Sequence, residues 1–329
     1  MEETVLRYRN AKRSHSVIGF AFTVLIAVAL AAQLAFVLIP QRLGLDFLTQ
    51  KSWWTWVCTS APMYLFAFPA CCLMLHILPG KTPERKELTA KQFLTLIPIC
   101  FCLMYAGNLV GTLLSWVLSG GEAVNAIESY AMDQSPLKIL VMVILAPLLE
   151  ELICRKLLVD RTVRYGEKLS VLMSGLIFGL LHQNLFQFFY AFALGSVFAY
   201  VYVRTGRIRY TIILHAIVNF LGAVVAPAVL SVLNMDALEK LEAGEISVEL
   251  LMEILPGYLV LMAYSTVLMG LSVFGLVLLI LKLRGKLLWK ETEQQLPKKP
   301  ALKAAFLNVG MIVYTLVCFV MIVLALFNR

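Results

Sequence analysis

Residues 17–39 read VIGFAFTVLIAVALAAQLAFVLI, 23 residues without a charge. The hydrocarbon core of a bilayer asks for about 20 apolar residues per helix, so this run is expected to span a membrane. Arg7, Arg9, Lys12 and Arg13 precede it. The run is too long for the core of a signal peptide, and no clear small-residue cleavage site follows it, so it is read as a retained first span. It is continuously apolar, not alternating, which argues against a strand of a membrane barrel.

Similar runs recur at 53–78, 92–119, 137–159, 169–183, 185–203, 209–233, 254–281 and 304–327. The second opens on Trp53, Trp54 and Trp56, an aromatic belt suited to the headgroup level. The expected fold class is therefore all-α, a multi-pass integral membrane helix bundle. It holds about nine transmembrane helices, with eight as the alternative count near the tight turn at Gln183–Asn184. The whole chain, 1–329, is read as a single membrane domain. Composition agrees: 60% of the residues are hydrophobic and only 15% charged, and the mean hydropathy is +0.84, whereas soluble domains carry about 25% charged residues.

The net charge of +8 could suggest a nucleic-acid ligand, but its distribution excludes that partner. Basic residues collect in alternate short loops. Four lie before the first span, four at 79–91, three each at 160–168 and 204–209, and seven at 282–303. The other loops hold Arg42 and Lys51, then Lys138, then none, then Lys240, and the long ones are acidic. The positive-inside rule then puts the N-terminus in the cytoplasm of a cell-membrane protein. Seven cysteines lie in the apolar runs without zinc-knuckle or redox spacing, and they read as small core residues.

The fourth run breaks the pattern with Glu150, Glu151, Arg155 and Lys156. A charge at the centre of a spanning helix costs about 2.5–3.5 kcal/mol, so such groups face the protein interior or a water-filled cavity. On a straight helix Glu151 and Arg155 stack four apart and pair. Glu150 points elsewhere, a carboxylate without a local partner, which suits general acid–base work. Of four histidines, His182 follows Phe178 by four, and Asn219 follows His215 by four, so each pair shares a helix face. Phe178 is expected to pack beneath His182, while His15 is assigned to the flank and His76 to packing. Glu150, His182, His215 and Asn219, brought together from three helices, can activate a water and stabilise an oxyanion. Glu150, His182 and His215 could instead ligate zinc. Each pair alone is a weak signal, and its ordinary reading is a hydrogen-bonded core group. The conjunction of all three carries the weight. His215 lies roughly 9 Å into its helix at about 1.5 Å per residue, with Glu150 expected nearer mid-membrane and His182 deeper than His215. Intramembrane charge also marks transporters, but the charged features sit in the fourth to seventh helices without symmetry between two halves.

Glu150-Glu151-Leu-Ile-Cys-Arg155, Phe178-Gly-Leu-Leu-His182 and His215-Ala-Ile-Val-Asn219 together resemble the CPBP family. These are the CAAX protease and bacteriocin-processing proteins, also called the Abi family of intramembrane proteases. The similarity covers residues 136–222, which would be the catalytic core helices, and includes the connecting text HQNLFQFFYAFALGSVFAYVYVRTGRIRY. The resemblance implies an intramembrane endopeptidase acting on a peptide or membrane-protein substrate in the lipid bilayer. It implies that Glu150 and His182 activate the water, that His215 and Asn219 hold the oxyanion, and that Glu151 and Arg155 orient the site. It favours a glutamic protease without a cofactor, with a zinc metalloprotease as the alternative. A non-enzymatic member, acting in bacteriocin immunity, as a scaffold or like a transporter, is the rival expectation.

Overall fold

The computed structural model describes residues 2–49, 51–133 and 135–327, and among them no strand occurs. Seven helices are long and apolar enough to cross a membrane. They are α1 (Glu2–Arg42), α2 (Trp53–His76), α3 (Ala90–Ser119), α6 (Leu185–Thr205), α7 (Ile208–Leu230), α8 (Val248–Arg284) and α9 (Val309–Phe327). The two other expected spans are also helical. Helix α4 covers residues 139–162 but is interrupted and charged. Helix α5 (Glu167–Leu181) has only 15 residues. Short helices at Ala126–Met132, Met235–Glu242 and Lys298–Phe306 cap the loops.

Helix α1 begins well before its apolar stretch, and it packs against Lys298–Phe306, with burial starting at Ala11. His15 therefore lies fully buried in α1, its Nδ1 2.6 Å from the Ala11 carbonyl oxygen. His76, at the end of α2, is exposed. The two histidines thus exchange the places expected for them. The cysteines are all free, and Cys71, Cys100, Cys154 and Cys318 are buried.

Helix α4 is surrounded by α2, α5, α6 and α7. Helix α8 packs along α3, away from this centre, and most of its apolar side chains are exposed to the outside. Three wide π-helical turns end two residues before a proline. Pro62–Ala67 precedes Pro69, Ile139–Leu145 precedes Pro147, and Leu221–Val225 precedes Pro227. Proline lacks the N–H that would close the preceding α-turn, and its ring crowds the carbonyl there, so the turn widens. A fourth such turn, Leu152–Leu157, follows Glu150–Glu151 with no proline behind it. Helix α4 is therefore not the straight helix assumed from the spacing.

Helices α5 and α6 form a tight hairpin. Gln183 adopts a left-handed φ of 53° at the corner, and Asn184 caps α6 by accepting the N–H of Gln187 at 2.8 Å. Glycine lets the hairpin close: a Cβ at Gly179 would stand 2.9 Å from the Phe188 carbonyl oxygen. Helix α3 approaches α6 as closely, since a Cβ at Gly107 would stand 2.5 Å from the Tyr190 backbone. Small residues at such crossings are the usual means of helix association in lipid.

Candidate active site

The short α-helical stretch Ala146–Glu151 holds the two glutamates between its π-helical neighbours. Glu151 and Arg155 are both fully buried, with Oε2 3.1 Å from Nε. The wider turn still stacks these two residues. The other oxygen of Glu151, Oε1, lies 3.0 Å from Nδ1 of His215 on α7. Glu151 thus joins the guanidinium to the imidazole. Two aromatic rings enclose Arg155: its Cζ is 4.2 Å from the centre of Phe178 and 5.4 Å from that of Phe198. A desolvated guanidinium over a ring gains up to about 2 kcal/mol.

Glu150 is the accessible carboxylate. Its side chain is 34% exposed, against 0% for Glu151. Its Oε2 stands 3.9 Å from Nε2 of His215.

His182 ends α5. Its Nδ1 is 2.8 Å from the Phe178 carbonyl oxygen in the last turn, where a helix has no further N–H to satisfy that carbonyl. Phe178 does more than pack beneath His182. Its ring meets His182 edge-on at 5.0 Å and His215 at 5.6 Å, and so touches both imidazoles and the guanidinium. Asn219 donates through Nδ2 to the Met142 carbonyl oxygen at 2.8 Å, in the π-helical part of α4 where the carbonyls are splayed.

Glu150, His182, His215 and Asn219 all line one cavity of about 500 Å³. A second cavity of about 430 Å³ shares Glu150, His182, Val141 and Met142 with it, and α1 and α2 contribute Leu25, Trp56, Met63, Tyr64 and Phe68 to its walls. Glu150 and His182 therefore border two chambers, one with amide and imidazole groups and one mostly apolar. A larger cleft of about 740 Å³ lies at the basic end of the bundle, among charged loop residues, and holds none of these four side chains.

The hydrogen bonds decide what each imidazole can do. A carbonyl oxygen only accepts, so Nδ1 of His182 carries the proton and Nε2 keeps its lone pair. A carboxylate likewise only accepts, so Nδ1 of His215 donates to Glu151 and its Nε2 is bare in the neutral ring. Two imidazoles and one accessible carboxylate thus present proton acceptors to the cavity. Among the described residues, no three or more His, Cys, Asp or Glu side chains are arranged to hold a metal ion. Glu150, His182 and His215 line one cavity without making such a group.

Sequence reasoning missed Phe198, the Met142 carbonyl, and the pair Gln187 and Tyr190. Gln187 Nε2 donates to the Tyr190 hydroxyl at 2.7 Å, and the Tyr190 ring lies 6.5 Å from that of His182. The only signal for the pair was two polar groups three apart, on one helix face, just after His182.

Comparison with known proteins bears on the same segment. The family described as type II CAAX prenyl endopeptidase Rce1-like matches residues 133–221. The chain is 30% identical over 167 residues to YdiL of Bacillus subtilis, which bears the name of a membrane peptidase, covering 47% of this chain and 67% of that protein. It is 30% identical over 193 residues to MroQ of Staphylococcus aureus, named a membrane-embedded CAAX protease, covering 54% of this chain and 76% of the relative. No solved structure matches the chain.

Proposed function

The chain belongs to the CPBP family of membrane proteases, and on that premise we propose that it hydrolyses peptide bonds inside the bilayer with a glutamate-activated water. The observation that supports this reading is the convergence of Glu150, His182, His215 and Asn219 on one cavity. The carboxylate of Glu150, with the bare Nε2 of His182, takes a proton from a water in the cavity. The water oxygen bonds to the scissile carbonyl carbon, and the carbonyl electron pair moves to its oxygen. That oxyanion rests on Asn219 and on His215, which donates from Nε2 when doubly protonated. Collapse breaks the C–N bond, and the proton held at Glu150 passes to the departing amine. Glu151 and Arg155 fix the ring of His215 without touching substrate.

The substrate in this reading is a peptide or a membrane-protein tail, reaching the helices of residues 136–222 from the bilayer or from the cytoplasmic face. The N-terminus and the basic loops lie on that face of the cell membrane, around nine spans in all. Purified protein in proteoliposomes, given a labelled peptide library with and without a prenylated C-terminal cysteine, tests it. Turnover is expected in the wild type and is lost by at least about 10²-fold in Glu150→Gln and His182→Ala. A chelator titration is expected to leave it unchanged; loss of activity restored by zinc would reassign the chemistry. Tight peptide binding without cleavage by the wild type would overturn the proposal in favour of a non-catalytic role such as immunity or scaffolding.

A further inference from the structure

In the proposed hydrolysis the oxyanion has one N–H donor that does not depend on a second proton at His215. His182 and His215 each spend their one N–H on a fixed acceptor, the Phe178 carbonyl and Glu151. Asn219 spends one of its two N–H groups on the Met142 carbonyl. With the imidazoles neutral, these residues together leave one N–H for a developing negative charge. Oxyanion sites commonly offer two or more, and removing one costs about 10²–10³ in rate.

A further donor, independent of that proton, is held in place from the start of α6. Asn184 Oδ1 accepts the backbone N–H of Gln187 at 2.8 Å as the helix cap, so Asn184 Nδ2 faces the other way, toward the His182 carbonyl at 3.1 Å and toward Gln187 Oε1. With its oxygen held there, Gln187 must present Nε2 to the Tyr190 hydroxyl, 2.7 Å away. The tyrosine oxygen therefore accepts, and its own proton must leave in another direction. Tyr190, Gln187, Glu150, His182, His215 and Asn219 line the same cavity. The chain of amides also polarises the hydroxyl, since each bond strengthens the next. Gly107 lets α3 press against the Tyr190 backbone, which fixes the height of the ring.

We propose that Tyr190 is a further catalytic residue, whose hydroxyl, oriented by Asn184 and Gln187, donates a hydrogen bond to the oxyanion of the tetrahedral intermediate. This rests on the hydrolytic reading of the site. No covalent bond to Tyr190 is made or broken: its hydrogen bond to the oxyanion shortens as the charge develops and lengthens again when the C–N bond breaks.

The test uses the full-length protein in proteoliposomes, a quenched peptide from the library that the wild type cleaves, and the matching peptide aldehyde, whose hydrate copies the tetrahedral geometry. Tyr190→Phe keeps the ring and is expected to retain the wild-type thermal midpoint. Its kcat should fall about 10²-fold with KM changed less than about twofold. The aldehyde should weaken by a similar factor, while the uncleaved peptide binds Glu150→Gln and Glu150→Gln/Tyr190→Phe equally. Gln187→Leu keeps the hydroxyl but loses its orientation, and should fall about 10-fold. If Tyr190→Phe keeps kcat within twofold while Glu150→Gln is dead, the inference fails and the hydrolytic reading stands. If peptide and aldehyde affinity fall together, Tyr190 serves ground-state packing and the inference fails. If the wild type shows no turnover, both fail.

Discussion

Removing the guanidinium from Arg155 tests the reasoning about the buried charges most directly. Arg155 and Glu151 are both 0% exposed and 3.1 Å apart. At an effective dielectric of about 20, Coulomb attraction across that gap is about 5 kcal/mol. Arg155→Met keeps the length of the side chain between Phe178 and Phe198 but leaves Glu151 as a buried anion with only His215 as partner. Breaking one side of a buried pair costs about 3–5 kcal/mol, and the lost cation–π contacts act in the same direction. The second variant, Glu151→Leu with Arg155→Met, removes both charges. It should recover most of the loss, leaving about 1–3 kcal/mol for the His215 Nδ1–H that no longer has an acceptor. Thermal unfolding in detergent, followed with a dye that fluoresces on reaction with thiols, is suited to this protein because Cys71, Cys100, Cys154 and Cys318 are buried until it unfolds. The single variant should melt well below the double. Activity should separate from stability: the double variant regains its fold but not its turnover, because His215 has lost the group that fixes its ring. Equal melting of Arg155→Met and wild type would refute the argument, as would a double variant less stable than the single one.

Two further outcomes follow from the geometry. Asn219→Ala removes the bond from α7 to the Met142 carbonyl, which should cost about 0.6–1.7 kcal/mol, and on the proposed mechanism it also takes away an oxyanion donor. Turnover of the proteoliposome preparation should fall about 10²-fold, far more than the change in melting accounts for. Asp160 gathers the Tyr202 hydroxyl at 2.8 Å, the Thr82 hydroxyl at 2.8 Å and the Lys156 ammonium at 2.5 Å, while its carbonyl accepts the Lys81 N–H at 2.7 Å. Asp160→Ala should release the loop at 79–89, so that trypsin cuts after Lys81, Arg85 or Lys86 several-fold faster in a timed digest, with the helices left intact.

The spans were legible because lipid imposes one rule on every residue it touches. Residues 17–39 needed no partner to be read as a helix, and α1 contains them. The charges of α4 were legible for the same reason, since Glu150, Glu151 and Arg155 violate that rule and had to turn inward. What stayed hidden depends on which helix meets which. His15 is buried by Tyr165 and the Lys298–Phe306 helix packing on α1, contacts remote in sequence. Phe198 looked like one more aromatic residue of α6 until Arg155 and His215 closed on it. The prolines at 69, 147 and 227 were visible, but the wide turns they impose, and the carbonyl that one of those turns offers to Asn219, emerge only once the backbone is traced.

Helix α5, which ends at His182, and helix α4, which carries Glu150, both fall outside the seven long apolar helices. At about 1.5 Å per residue, α5 reaches about 22 Å, short of the roughly 30 Å of a bilayer core, and α4 brings charges that hydrocarbon rejects. Neither has the length or composition to settle in lipid by itself as it leaves the ribosome. Their entry has to be a shared event, in which α6 shields α5 and α7 brings the imidazole of His215 to Glu151. On the proposed mechanism, the chain during its own synthesis lacks an assembled hydrolytic centre until residue 219 has emerged. A half-made copy would then be inert, and the least membrane-compatible segments wait for helices made after them.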